Sequence, residues 1–449
     1  MLLPMITAIL MSPSAIAVPV AESPAPPFVR FRKNIKNLTT TELQGLRDAV
    51  AAMKALPSSD VRSWEAQAQI HNNFCPHGNL QFLPWHRKYL YYFEKILVSM
   101  SGGKLKALPY WDYTNTTQAE IPTSFTAVTY GASIPNPLYH ANRSAFYNTS
   151  ANPLPSFLMD PTDAMDQLAF AGFSYSLEGQ PHNNVHTEIN GTMGGYLSPR
   201  DPIFWLHHCN IDRLWERWLG LGGGRSNPVD ATWLNANYLN TQFFDETGAA
   251  HQLKNSDVLD IVGQLDYTYQ IIWRPFPIYY EWRRLWRWEI LRPWPFEFVN
   301  GPWTTPIREF PAEQIRGLDR ISMTDMARVN AVLIFEVDAG VSTVGSFDLL
   351  ANGRGRKATK VKTFSLFGMR HSREQGHMAG MAKHTINMVL NREETRRLAA
   401  MLRSRQVSFT VRRTRGSATN IKIAPDPKVQ MSLTAIEFYQ PVRARRPNR

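Results

Sequence analysis

The chain has 449 residues, 43% of them apolar and 12% aromatic, with a formal net charge of +12. It is longer than one ordinary core supports and too apolar to be disordered. It is basic without the aromatic-studded basic surface of a nucleic-acid module, so no nucleic-acid partner is expected. Two cysteines, Cys75 and Cys209, exclude a disulfide framework, and no unbroken apolar stretch reaches membrane-spanning length.

Residues 1–27 hold a short apolar core and a small-residue site at Ala15-Ile16-Ala17, the pattern of a cleaved export signal. The first basic residue is Arg30, so the usual charged lead is missing and an Ala/Pro-rich extension is the alternative. A cleaved signal implies a secreted or periplasmic protein, and an uncleaved extension a cytoplasmic one. Thr39–Thr41 as cap, Glu42 in the first turn and the stripe Leu43, Leu46, Val50, Met53 predict a helix over 38–56. Helical signals return over 62–73, 84–100 and 202–220. Loops rich in Pro, Gly, Asn and Ser run over 113–165 and 221–256, as is common where a site is built from connecting segments.

Residues 271–310 carry six tryptophans, Trp273, Trp282, Trp286, Trp288, Trp294 and Trp303, mixed with Arg and Pro. They are expected to connect two domains and to pack against them. Beyond 310 the patterns turn to strands: "AVLIFEV", "GSFDLLA", "VKTFSLFGM", "HTINMVL", "QVSFTVRR", "MSLTAIEFY". Val407, Phe409 and Val411 alternate with Ser408, Thr410 and Arg412, the period of a half-buried strand. One helix, "REETRRLAAMLRS", interrupts them. The expected architecture is a mainly α domain over 28–270, a connecting segment over 271–310, and a mostly β domain over 311–445, a small sandwich.

Seven of the twelve histidines fall in two groups: His71, His77, His86, and His182, His186, His207, His208. Packing alone does not explain such concentration. His182 and His186, four apart, share one face of a helix, with Pro181 tolerable in its first turn. In "RDPIFWLHHCNIDRLWERWLGL" Asp201 is a natural N-cap, and the inward stripe is Phe204, His208, Ile211, Trp215, Trp218. His208 lies in that stripe and His207 is turned by about 100°, so His208 is the candidate ligand. His86 groups with Leu90, Phe93 and Leu97. Two trios of imidazoles without a bridging carboxylate suit a pair of copper ions better than zinc or magnesium.

"HGNLQFLPWHRKYLYYFE" and "DPIFWLHHCNIDRLW" resemble the two copper-site signatures of the tyrosinase and polyphenol oxidase family. The resemblance covers roughly 28–445 and includes "FRKNIKNLTTTEL" and "YTY" at 267–269. "GSFDLLANG" and "QVSFTVRR" resemble the C-terminal domain of plant polyphenol oxidases. It implies a four-helix bundle holding a dinuclear copper site, with His71, His77 and His86 on one ion and His182, His186 and His208 on the other. It also implies dioxygen as co-substrate, o-hydroxylation of monophenols and oxidation of o-diphenols to o-quinones, with small phenols and catechols as substrates. Cys75-Pro76-His77 matches a unit in which the sulfur is joined to the imidazole by a thioether. Glu178 and Asn183 stand where a water-positioning pair assists monophenol deprotonation. His207, Thr187 and Asp212 are expected to support the ligands, and Thr187 lies where substrate preference is influenced. Arg32, with Arg30 as competitor, pairs with the motif of Tyr267 and Tyr269 that closes the catalytic domain. The C-terminal domain is expected to shield the site. The alternatives are a catechol oxidase, an o-aminophenol oxidase and an oxygen carrier of the hemocyanin kind.

One further stretch, "GMRHSREQGHMAGMAKH", gathers Met369, His371, His377, Met378, Met381 and His384. Thioether and imidazole suit Cu(I), which raises a copper-loading role. A surface loop between two strands is the plainer expectation.

Overall fold

The computed structural model describes residues 29–269, 280–298, 303–306, 308–309, 311–321, 326, 329–338, 346–353, 358–365, 383–404, 406–413 and 431–443. The expected export signal, Trp273, and the Met/His stretch as a candidate copper-loading element lie outside them, except His384, which belongs to a strand paired at Val337. Among the described residues, no helix is long and apolar enough to cross a membrane.

The first domain is helical. Its helices are α1 (Thr40–Ala55), α2 (Trp64–Phe74), α3 (Phe82–Ser99), α4 (Phe170–Leu177), α5 (Asn184–Ile189) and α6 (Ile203–Gly220), joined by long loops with short one-turn helices. Thr39 and Glu42 close a reciprocal capping box on α1, an arrangement worth about 0.5–2 kcal/mol. Ser63 caps α2 through the Ala66 N–H. Helix α6 starts one residue later than expected, with Pro202 at the boundary, but Asp201 Oδ1 still accepts from Ile203 N at 3.0 Å. Asp201 also holds Arg143 through two short bonds. α3 and α6 are buried on nearly every face, as central helices are. His207 is therefore as deeply buried as His208.

The ends of this domain meet in a parallel pair, β1 (Arg30–Phe31) with β2 (Tyr267–Thr268). Arg32 follows β1 and is fully buried. It donates to Glu94 at 2.6 Å, to the Tyr269 hydroxyl at 2.9 Å and to Asp212 at 3.2 Å, and its guanidinium lies 3.6 Å over the Tyr267 ring. Both tyrosine hydroxyls donate to Asp212, whose other oxygen takes Arg87 at 2.6 Å. Burial alone would raise the Asp212 carboxyl, but Arg87 and Arg32 hold it below the usual carboxylate range. Arg30 instead takes Glu94 from the partly exposed side. Such a network locks the closure, since losing one member of a buried ion pair costs about 3–5 kcal/mol.

The second domain is a sheet of β3 (Tyr280–Phe298), β4 (Trp303–Thr304), β5 (Arg308–Glu309), β6 (Asn330–Asp338), β7 (Ser346–Gly353), β8 (Thr359–Ser365), β9 (Lys383–Val389), β10 (Gln406–Arg413) and β11 (Met431–Arg443). The order is β8-β7-β10-β4-β3-β11-β6-β9, with β5 on β10, and neighbours are antiparallel. Helices α7 (Ala312–Asp319) and α8 (Arg392–Leu402) accompany it. Phe335 of β6 and Phe364 of β8 are distant along this order, yet their rings lie parallel 6.5 Å apart. The sheet thus folds over a core that includes Leu333, Phe409, Val411 and Leu433, the sandwich that the strand patterns suggest.

The expected connecting segment needs correction. Residues 280–298 are a strand of this sheet, paired along β11 from Tyr280↔Arg443 to Phe296↔Met431. Trp286 and Ile290 are buried while Arg287 and Glu289 between them are exposed. This is the period of two, hidden by the density of Trp and Arg.

The domains touch along β9, an edge of the sheet against which α4 packs. Asn387 Nδ2 donates to the Gly78 carbonyl at 3.1 Å. Farther along, Lys362 bridges Asp163 at 2.5 Å and Glu394 at 3.4 Å, and Asn391 donates to Asp163 at 3.0 Å.

Candidate metal centre

Five segments carry the histidines inward. His71 comes from the last turn of α2, His86 from α3, and His208 from α6. His186 lies on α5, and His182 on the irregular turn before it, where Gln180 breaks helical geometry. The helical spacing of His182 and His186 survives because Asn183 and Asn184 are helical. His77 lies in the loop between α2 and α3.

The backbone aims the rings. His71 Nδ1 donates to the Tyr196 carbonyl at 2.6 Å, His86 Nδ1 to that of Phe82 at 2.8 Å, and His186 Nδ1 to that of Met193 at 2.7 Å. His182 Nδ1 donates to Asn183 Oδ1 at 2.8 Å. Each bond selects the tautomer whose Nε2 carries a lone pair, the form a metal needs. His208 Nε2 lies 3.3 Å from His182 Nε2 and 3.2 Å from His186 Nε2. The Nε2 atoms of His71 and His86 are buried without a hydrogen-bond partner. An unsatisfied buried polar atom costs about 1–3 kcal/mol, so converging lone pairs call for a cation. Burial pushes His71 and His182 down to about 3 and the other four fully buried rings, His86, His186, His207 and His208, well below the ordinary value. They are neutral donors at pH 7.

The two trios face each other. The His77 and His182 rings are 5.7 Å apart, and His86 stacks on His208 at 4.5 Å. His207 belongs to the same buried cluster, with donor atoms within 4.8 Å of the others. Its ring lies nearly parallel to His182 at 5.2 Å, and neither of its nitrogens has a hydrogen-bond partner. His208, whose Nε2 meets two others, fits the trio better. An all-imidazole donor set without a carboxylate suits copper.

The remaining candidates fall around this centre. Cys75 is buried and its sulfur lies 3.7 Å from His77 Nδ1. Cys209 is buried with its sulfur 3.4 Å from the Tyr269 hydroxyl, and neither cysteine is in a disulfide. Burial pushes the Glu178 carboxyl up to about 8, against the Gly78 N–H that donates to it at 2.6 Å. Glu178 and Asn183 thus bond to different partners, one behind each trio. Thr187 is buried and turns its hydroxyl back onto the Asn183 and Asn184 carbonyls. A small cavity of about 40 Å³ between the domains is lined by Tyr175, Gln180 and Asn183 on one side and Phe364, Ile386 and Met388 on the other. The carbonyls of Tyr196 and Met193 and the contact at Gly78 have no signature in the sequence. Phe82 had one, since His86 is four residues on.

Known proteins resemble this chain in sequence and fold. The sequence matches the family described as the common central domain of tyrosinase over 48–170 and 141–221, and the polyphenol oxidase middle domain over 227–283. A tyrosinase from Hahella sp. is 34% identical over 304 residues, 54% of this chain and 63% of that protein. The latent form of a chloroplastic polyphenol oxidase from Prunus armeniaca is 29% identical over 323 residues, 58% of this chain and 50% of that protein. The chain therefore matches between half and just under two thirds of the length of these curated relatives. The structure of latent apple tyrosinase superposes with a TM-score of 0.64 at 21% identity, over 92% of this chain and 98% of that one. A functional unit of octopus hemocyanin superposes with a TM-score of 0.52 at 18% identity, over 90% and 99%. These structural likenesses are of fold.

Proposed function

The chain belongs to the tyrosinase and polyphenol oxidase family, and we propose that it oxidises phenols with dioxygen, hydroxylating monophenols and converting o-diphenols to o-quinones. The observation that carries this reading is the convergence of six imidazoles, four with Nδ1 tied to an oxygen acceptor so that Nε2 points inward. His71, His77 and His86 would hold one copper and His182, His186 and His208 the other. Bound there, the pair supplies two-electron chemistry with dioxygen. Each diphenol gives up two electrons and two protons, and two turnovers reduce one dioxygen to two waters.

The chain's own part is to hold the donors neutral, aimed and dry. Asn183 fixes the tautomer of His182, and Glu178 ties the loop behind His77. The same two side chains are our candidates for orienting the water that takes the proton of a monophenol, whose unperturbed pKa is near 10. The interdomain cavity beside Asn183 is the route we assign to substrate, with the β-rich domain shielding it. A panel of monophenols, catechols and o-aminophenols on the copper-loaded chain tests the reading. Turnover of both phenol classes is the expected result. Catechol turnover alone would make it a catechol oxidase, and reversible dioxygen binding without turnover would overturn the proposal in favour of a carrier.

A further inference from the structure

We propose that the β-rich domain is also a positioning element for the first histidine trio, with Asn387 clamping the loop that carries His77. The inference rests on the trios being copper ligands. Of the six, His77 is the only one in a stretch without helical structure and the only one not fully buried. It needs support from outside the bundle. The next residue receives it from two directions. Gly78 N–H donates to Glu178 of the helical domain at 2.6 Å, and the Gly78 carbonyl accepts from Asn387 of β9 at 3.1 Å.

The contact is close enough to dictate the residue. Gly78 has a φ of +69°, and a Cβ there would lie 2.5 Å from the Thr385 carbonyl oxygen. Both conformation and the approach of β9 therefore require glycine. β9 is a sheet edge, whose backbone groups on the open side must be covered. The copper-site loop packs against that edge at Thr385 and Asn387. Shielding alone would need only bulk over the entrance. A directed bond to the residue following a ligand helps fix where that ligand sits, and partners of this kind alter metal retention about 10–100-fold.

The test uses the full chain loaded with copper, then reduced without dioxygen and challenged with a Cu(I) chelator. Wild type should hold two coppers per chain. In Asn387→Ala one copper should leave about tenfold faster, while the other keeps its wild-type rate. Asn387→Asp keeps the size but presents oxygen to oxygen, and should behave alike. Gly78→Ala should show the same asymmetry from the other side of the contact. Wild-type release rates in both Asn387 variants, even with raised activity, would overturn the clamp and leave shielding alone. Equal acceleration of both coppers would overturn it too, since the effect would then not be local. A wild-type chain that binds no copper would instead sink the underlying copper reading.

Discussion

The two histidine trios achieve the same convergence by different means. The second is built from adjoining helical segments: His182 and His186 share a turn, His208 comes from the central helix, and their Nε2 atoms already meet within 3.3 Å. The first spans two helices and a loop, and its loop member depends on neighbours: Cys75 at 3.7 Å, Glu178 and Asn387 around Gly78. The second is preorganised by local backbone geometry and the first by tertiary contacts. A site of this kind should be robust on one side and conditional on the other.

The hardest break removes a ligand. His86→Ala and His208→Ala should each lose one of two coppers and abolish oxidation, read by copper content beside turnover. His207→Ala should keep both coppers with activity or affinity lowered about 10–100-fold. If His207→Ala loses copper and His208→Ala does not, the assignment within the second trio is reversed.

Asn183 probes the preorganised side. A role confined to the monophenol step would leave diphenol oxidation untouched in Asn183→Ala. The bond from His182 Nδ1 to Asn183 Oδ1 leads to a different expectation: both activities fall, by about tenfold for the diphenol, and Asn183→Asp, which keeps the acceptor, restores the diphenol activity. Unchanged L-dopa oxidation in Asn183→Ala would detach Asn183 from the ligand.

Cys75 probes the conditional side. Closing a thioether to His77 removes two hydrogens, which dioxygen accepts at the copper-loaded site. Peptide mass spectrometry should show the peptide carrying both residues two hydrogens lighter after copper loading. An alkylatable Cys75 in active protein counts against the link. Cys75→Ser should weaken copper retention in the first trio only, within the about 10–100-fold range of other supporting groups.

The smallest effect concerns domain docking and pH. Burial alone would raise Asp163, but Lys362 and Asn391 hold it below its ordinary value, while burial raises Glu394 despite Lys362. A lowered carboxyl stabilises the contact above its unbound pKa, near 3.9, and loses that contribution as pH falls through the lowered value. Glu394 has the opposite sign, so part of the loss is offset. Docking should therefore hold at neutral pH and loosen only in strong acid, seen as faster limited proteolysis between 270 and 280. Asp163→Asn should remove the step. The same segment is the place to cut for a shield-free catalytic domain. A cut near residue 300 would leave β3 as a 19-residue strand stripped of β11, an exposed edge that invites aggregation.

Much of this molecule was legible in its residues. The cap of α1 follows from its residues, and the extent of α3 and α6 and the six strand patterns beyond 330 follow from local periodicity, because burial on one face leaves its period in the sequence. The histidine groups were legible because the chemistry demands particular side chains. Strand β3 was hidden because its alternation is written in Trp and Arg, which also suit a surface linker. Tertiary structure alone decided the rest. The carbonyls of Tyr196 and Met193 that aim His71 and His186 belong to peptide groups, and every residue has one. The closure of Arg32 on Asp212 and the contact of Asn387 with Gly78, 309 positions away, depend on which segments the fold brings together. Sequence names the groups able to bind a metal; the packing of distant backbone determines which nitrogen of each ring is presented, and what holds it there.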